Sequence, residues 1–203
     1  MTVATWVAFC TTETVLCFIP GPAVMFVVSV ALARGARSGM AASLGILAAN
    51  AFYFALSGTG VAAAIVASSH LFAALRWIGA GYLLWVGGRM LWSPGRHPAD
   101  VTAPTARRSL IRAVLVQGTN PKALVFFIAL LPQFINPGAA VAPQVLVLGL
   151  SSVLIEFVVL TLYVTAAARA RQLAGARFAG TLERAGGGVL MAAGLRLALA
   201  RTE

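Results

Sequence analysis

Three ionisable side chains lie inside long apolar stretches of the sequence: Glu13, Lys122 and Glu156. A charge in an apolar environment is costly, so each of them is a candidate functional group. Burial disfavours the charged form of a carboxyl group, which would let Glu13 and Glu156 take up and release protons near neutral pH. The alternative for Glu156 is a structural pair with Lys122, and the alternative for Glu13 is a position near the outer lipid headgroups.

Prolines interrupt two of these apolar stretches, CFIPGPAVMFV and TNPKALVFF. The residues at the two breaks are Pro20, Gly21, Pro22, Asn120, Pro121 and Lys122. Proline removes a helical hydrogen bond, and irregular backbone at membrane depth survives only where it is buried in protein or lines a wet cavity. A half-helix that begins after each break would present free N–H groups to an anion such as a carboxylate, with Lys122 adding a cation at the second break. The alternative is a pair of proline kinks that only shape helix packing.

The composition indicates a membrane protein. Of the 203 residues, 60% are hydrophobic and 10% are charged, whereas a soluble domain has about 25% charged residues. A bilayer span needs roughly 20 largely apolar residues. We predict six such segments, at about 4–33, 41–67, 71–92, 110–132, 142–168 and 182–200. The predicted fold is therefore an all-α polytopic membrane protein in which residues 1–203 form a single transmembrane domain.

The arginines predict how the six helices are oriented. Eleven of them flank the first, third and fifth loops, and three lie on the opposite side. Cytoplasmic loops carry the excess of positive charge, so both termini are expected outside the cytoplasm. Two groups of three helices would then form an inverted-topology repeat, as is common in secondary transporters. Repeat one spans about 1–93, a cytoplasmic linker about 94–108, and repeat two about 109–203.

The remaining polar residues predict no catalytic site, no metal site and no binding of nucleic acid. The net charge of +10 comes from arginines spread between apolar segments, so no nucleic-acid partner is predicted. His70 and His97 fall in or beside loops on opposite sides of the membrane, and no nucleophile or metal motif is present, so catalytic residues, metal and cofactor are all predicted to be absent. Asn50 is predicted to bond either a bound small molecule or another helix.

Four stretches resemble the lysine-exporter (LysE) family in its homoserine/threonine-resistance branch. They are CFIPGPAVMFVVSVALARGARSGMAASLGILAAN, LRWIGAGYLLWVGGRMLW, VQGTNPKALVFFIALLPQF and GGGVLMAAGLRLAL. The resemblance implies six helices in the bacterial cytoplasmic membrane and export of amino acids or similar small metabolites, driven by the proton gradient. The family's conserved breaks fall on Pro20 to Pro22 and on Asn120 to Lys122, whereas acids in the first and fifth helices are only a family tendency.

An efflux carrier for amino-acid-like zwitterions is therefore the predicted function. Its partners would be a small-molecule substrate, protons and membrane lipids, and a homo-oligomer is compatible with the sequence. One alternative is an exporter of metal ions or other small solutes from the same superfamily. Another is a noncatalytic membrane scaffold, which would explain the many glycines but not paired helix breaks beside buried charges.

Overall fold

The computed structural model describes residues 1–58 and 106–199, together with eight helical positions between 77 and 92. Its α-helices are α1 (Val3–Phe18), α2 (Pro22–Arg34), α3 (Ala36–Gly58), α4 (Ala106–Gly118), α5 (Pro121–Val125) and α6 (Val141–Leu199). The described part of the chain contains no strand, which agrees with the predicted all-α class. Most of the predicted segment 71–92 and residues 94–105 of the predicted linker lie outside the described residues.

The first predicted break is confirmed. The helix α1 ends at Phe18 and α2 begins at Pro22, and the two are bent by 51° relative to each other. Pro22 takes the first helical position, where its missing N–H costs nothing and its fixed φ angle suits the helix. The break thus follows directly from the Pro-Gly-Pro sequence.

The second break is also confirmed, but it is longer than the sequence predicted. Asn120 caps α5, Pro121 begins it, and a π-helical turn (Phe126–Leu130) and a 3-10 turn (Leu131–Phe134) follow. The N–H of Leu131 reaches back five residues to the carbonyl of Phe126. Pro132 has no N–H to continue α-helical bonding, which is consistent with the tighter final turn.

The last two predicted segments, 142–168 and 182–200, are not separated by a loop. They form one continuous helix, α6, of 59 residues. At 1.5 Å per residue it is about 88 Å long, far more than the roughly 30 Å of bilayer hydrocarbon. The intervening sequence, RARQLAGARFAGTLERAG, has no proline and is rich in Ala, Arg and Leu, which favour helix. The predicted loop was therefore wrong because its charge was taken as a helix boundary.

Two of the described helices are long and apolar enough to cross a membrane, Ala36–Gly58 and the Val141–Gln172 part of α6. The bent pair α1 and α2 makes a third if it is counted as one span. Large apolar side chains on the outer surface of α6, such as Leu150 and Leu154, are about two-thirds exposed, as lipid-facing residues are expected to be. The protein is therefore a helical multi-pass membrane protein. Six spans would need a turn between the last two predicted segments, and the continuous helix α6 contains none.

The helices α3 and α6 pack antiparallel, because residues later in α3 lie beside residues earlier in α6. In order along α3, the neighbouring pairs are Gly39 with Val164, Asn50 with Glu156 and Phe54 with Gly149. In contrast, α1 runs parallel to α6, since Trp6 bonds Ser151 and the carbonyl of Phe18 accepts from Tyr163. This sets the direction of the first broken helix.

The helix α4 runs parallel to α3. Gly45 lies against Leu110, and further along both helices Tyr53 bonds the carbonyl of Gly118. Because α3 and α6 are antiparallel, α1 and α4 run in opposite directions. The two helices that precede the breaks therefore approach the middle of the protein from opposite ends.

We expect Gly45→Ala to destabilise the protein because α3 and α4 touch at this position. A Cβ atom on Gly45 would overlap the backbone carbonyl of Leu110 and the Cβ of Ala113, and backbone cannot rotate away. Overpacking of this kind costs about 1–3 kcal/mol. Thermal unfolding in detergent should show a lower Tm for Gly45→Ala than for the control Gly188→Ala, whose added Cβ meets no atom within 4 Å. Equal Tm values would contradict close packing of α3 on α4.

Candidate functional site

A small cavity of about 60 Å³, room for a few water molecules, lies between the two breaks and is lined by both polar and apolar side chains. Six predicted site residues line it, and these are Glu13, Gly21, Asn50, Asn120, Lys122 and Glu156. Apolar side chains, including those of Val24, Phe126, Phe127 and Leu160, complete the wall. Of the other predicted residues, Pro20 is exposed, and Pro22 and Pro121 begin the two half-helices. The structure thus brings both breaks and the three ionisable side chains Glu13, Lys122 and Glu156 to one place.

Glu13 is buried within the protein, with 6% of its surface exposed. Its Oε1 accepts a hydrogen bond of 2.5 Å from the hydroxyl of Ser152 on α6. The same oxygen accepts a weaker bond of 3.8 Å from the thiol of Cys17, one turn further along α1. The carboxyl group of Glu13 faces the cavity.

A chain of hydrogen bonds connects Glu156 to the second break. Glu156 Oε2 accepts from Asn50 Nδ2 at 2.5 Å, and Asn50 Oδ1 accepts from Gln117 Nε2 at 2.6 Å. Gln117 Oε1 accepts from Asn120 Nδ2 at 2.8 Å, and Asn120 Oδ1 accepts from the N–H of Lys122 at 3.1 Å. Asn50, Gln117 and Asn120 are all buried. A change at Glu156 is therefore linked through side chains to the start of α5.

Sequence reasoning missed Gln117 and Ser152 as members of this site. Gln117 is an amide in an apolar segment three residues before Asn120, and this spacing on a helix was the signal that could have found it. Ser152 lies one helical turn before Glu156, so both side chains project from one face of α6. A serine in a membrane helix commonly bonds its own backbone, which is why the sequence alone did not distinguish it.

Lys122 extends from the second break to the first. Its Nζ donates to the carbonyl of Leu16 and, at 3.0 Å, to the carbonyl of Ile19, at the end of α1. The sequence placed this cation beside the N-terminus of its own half-helix. The end of a helix instead leaves carbonyl groups without helical partners, and the negative end of the dipole attracts a cation. The ammonium group and the carboxylate of Glu156 therefore bond different partners, rather than forming the structural pair considered above.

The two half-helices differ at their N-termini. The side chain of Asn120 caps α5, whereas the cap residue of α2 is Gly21, which has no side chain to offer. The first N–H groups of any helix have no acceptor within the helix, and Pro22 contributes none. The N–H groups of Ala23 and Val24, two residues that line the cavity, are therefore the donors that α2 offers to an anion.

We expect Gly21→Leu to abolish function and Gly21→Ala to be tolerated. The backbone of Gly21 is extended, with φ −120°, so any residue can adopt it and only space matters. A Cβ there would make one ordinary contact, 3.4 Å from Lys122 Cδ, whereas a leucine side chain would extend into the cavity. The measurement is solute transport by each purified variant, with membrane insertion checked in parallel. Full transport by inserted Gly21→Leu protein would exclude this cavity as the path.

Interrupted apolar helices around a buried polar cavity are the arrangement in which secondary transporters hold their substrates. The fold and the site therefore define a membrane translocator. The chain belongs to the family of LysE type translocators, whose family model matches residues 14–201. The predicted resemblance is thus confirmed over nearly the whole length.

The chain is similar to membrane and efflux proteins of several bacteria, to two of them over almost its full length. It is 33% identical to a homoserine/homoserine lactone efflux protein of Salmonella typhimurium, with 99% of each chain covered. It is 34% identical to an uncharacterized membrane protein of Vibrio cholerae, covering 99% of this chain and all of the relative. A leucine efflux protein of Enterobacter sp. is 36% identical over 68% of each chain. No solved structure matches this chain.

Proposed function

We propose that this protein is a proton-coupled efflux carrier that exports amino acids or similar small metabolites across the bacterial cytoplasmic membrane. The observation that carries the proposal is the cavity itself, in which the N-terminus of α2, Lys122 and the carboxyl groups of Glu13 and Glu156 surround one small volume. The names of the relatives, which are efflux proteins for homoserine, homoserine lactone and leucine, support an amino-acid-like substrate.

The carboxylate of a zwitterionic substrate would bind at the start of α2. The N–H groups of Ala23 and Val24 and the positive end of the helix dipole favour an anion there. The missing side chain at Gly21 leaves room for the anion to approach the backbone. Lys122 passes beside Gly21 and adds a positive charge to the same region. Together these groups would replace the water that the carboxylate loses on binding.

The ammonium group of the substrate would bind a carboxylate on the far side of the cavity, Glu156 or Glu13. The other carboxylate would carry a proton when no substrate is present, and Glu156 is the first candidate for that role. Because both carboxyl groups line one small cavity, an ammonium group bound beside one of them would favour loss of the proton from the other. Substrate binding would thus release a proton, which couples export of the substrate to entry of protons.

The directions of the helices support an inverted repeat. The helices before the breaks, α1 and α4, run in opposite directions, and so do their respective neighbours α6 and α3. Each broken helix packs in parallel on a long helix from the other half, α1 on α6 and α4 on α3. Because each broken helix packs on the other half, a tilt of one half against the other would move both broken helices and expose the cavity to one side of the membrane at a time.

Transport by purified protein in proteoliposomes tests the proposal. Liposomes are loaded with one unlabelled amino acid, and uptake of the labelled form by exchange is followed for homoserine, leucine, threonine and lysine, with and without an imposed pH gradient. We expect exchange of at least one of them, and accumulation when the pH gradient is applied. Protein-free liposomes give the inactive baseline, and inserted Gly21→Leu protein is expected to match it. Exchange by the parent no faster than this baseline for every member of the panel would contradict the proposal.

A further inference from the structure

The two broken helices end in the same way. The carbonyl of Phe18, the last residue of α1, accepts a hydrogen bond of 2.9 Å from the hydroxyl of Tyr163 on α6. The carbonyl of Gly118, the last residue of α4, accepts one of 2.7 Å from the hydroxyl of Tyr53 on α3. A helix end needs partners for its free carbonyls, and in both cases a tyrosine of a neighbouring long helix supplies one. Phe18 and Gly118 each lie two residues before their break, at Pro20 and Asn120.

The two tyrosines lie on opposite sides of the cavity. Tyr163 is next to Val164, which packs beside Gly39, and Tyr53 is next to Phe54, which packs beside Gly149. Gly39 and Phe54 are separated by about 22 Å along α3 at 1.5 Å per residue. The bond between Asn50 and Glu156, at the cavity, lies between these two levels.

Each contact is suited to opening and closing. Both tyrosine side chains are only partly buried, so water could replace the protein partner when a contact breaks. Each hydroxyl bonds the end of a short half-helix rather than the middle of a long one, so the bond can break without disturbing a helical hydrogen-bond ladder. With both bonds formed, as in this structure, the cavity between the two contacts has a volume of only about 60 Å³.

We propose that Tyr53 and Tyr163 are paired gating residues, each of which holds the end of one broken helix and closes the cavity toward one side of the membrane. Breaking the bond of Tyr53 opens one side, and breaking the bond of Tyr163 opens the other. The proposal rests on the function proposed above, since a carrier must open to the two sides in turn. Both residues act by positioning α1 and α4, not by touching substrate.

A native cysteine reports which side is open. Cys17 lines the cavity, and the other cysteine, Cys10, is replaced by serine to give a single-thiol background. A maleimide that cannot cross membranes is added to right-side-out or inside-out vesicles, and the rate of Cys17 labelling is measured from each side. The ratio of the two rates measures the balance between the two open states, independently of transport.

Loss of one hydrogen bond of ordinary strength shifts a two-state balance about fivefold. Tyr53→Phe is expected to change the labelling ratio about fivefold in one direction, and Tyr163→Phe about fivefold in the other. The double variant is expected to return to the parent ratio, an outcome that a general loss of structure would not produce. Thr165→Val is the control, because this hydroxyl on α6 bonds carbonyls of its own helix. Its labelling ratio should equal that of the parent.

The gating proposal is overturned if both single variants shift the ratio in the same direction, or if neither differs from Thr165→Val. Should that happen while the parent still exchanges amino acids, the carrier function stands and only the gates are lost. Opposite shifts in a protein that exchanges no amino acid would instead keep the gates and reject the proposed substrate class.

Discussion

Glu156→Gln protein is expected to exchange substrate across the membrane but to lose accumulation driven by a pH gradient. An amide has the shape of a protonated carboxyl group, and its oxygen can still accept from Asn50, so the hydrogen-bond chain toward the second break is kept. The side chain can no longer release its proton, so the step that ties substrate movement to the proton gradient is missing. Exchange in proteoliposomes should stay within about threefold of the parent, while the accumulated concentration ratio should fall to one.

Two other acids serve as comparisons for this variant. Glu13→Gln is the second candidate for the same phenotype, because Glu13 is buried at the same cavity. Glu183→Gln is the matched control, since Glu183 lies in α6 beyond its apolar part, Val141–Gln172. If both cavity variants concentrate substrate under a pH gradient as well as Glu183→Gln does, neither acid is the coupling group, and the bond between Asn50 and Glu156 serves to join α3 to α6.

Lys122→Met is expected to lose exchange by more than tenfold and to unfold at a lower temperature. The ammonium group bonds the carbonyls of Leu16 and Ile19, and a thioether cannot donate to either. The carbonyl of Leu16 is partly buried, so loss of its partner costs about 1 kcal/mol, at the lower end of the range for buried groups, and the charge beside the proposed carboxylate site is lost as well. The first break would therefore lose the contact that holds it to the second.

Lys122→Arg tests whether a cation with N–H donors is enough at this position. Arginine keeps the cation and several N–H donors, so we expect it to retain more exchange and a higher Tm than Lys122→Met. The measurements are exchange in proteoliposomes and thermal unfolding in detergent. Equal activity of Lys122→Met and Lys122→Arg would mean that the contact between the two breaks is not needed for transport.

The breaks and the buried acids could be predicted from the sequence because their causes are local. Proline is disfavoured in the interior of a helix but suits its first turn, so Pro20, Pro22 and Pro121 predicted the breaks directly. An acid within an apolar segment is costly in free energy and is therefore rare there, so the sequence alone marks Glu13 and Glu156 as candidate functional residues. The family resemblance rested on the two breaks and on the apolar segments around them, and not on the two acids.

The partners of these residues could not be predicted, because they come from distant parts of the chain. Ser152 meets an acid that is 139 residues away in sequence, and Lys122 reaches a carbonyl 106 residues away. No local pattern carries such information. The prediction of a loop within α6 was wrong because a local signal was given too much weight. The arginines of this segment were interpreted as the end of a helix, but charged side chains do not end a helix that lacks proline.

Protection of Cys17 from alkylation tests most directly the claim that the cavity between the breaks binds the transported substrate. The Cys10→Ser protein is reconstituted, and labelling of Cys17 by a maleimide is timed with increasing concentrations of an amino acid that the protein transports. We predict that labelling slows at least fivefold, with a half-effect at the concentration that half-saturates transport, and that an amino acid that is not transported has no effect. An unchanged labelling rate at a saturating concentration of the transported amino acid would contradict the account.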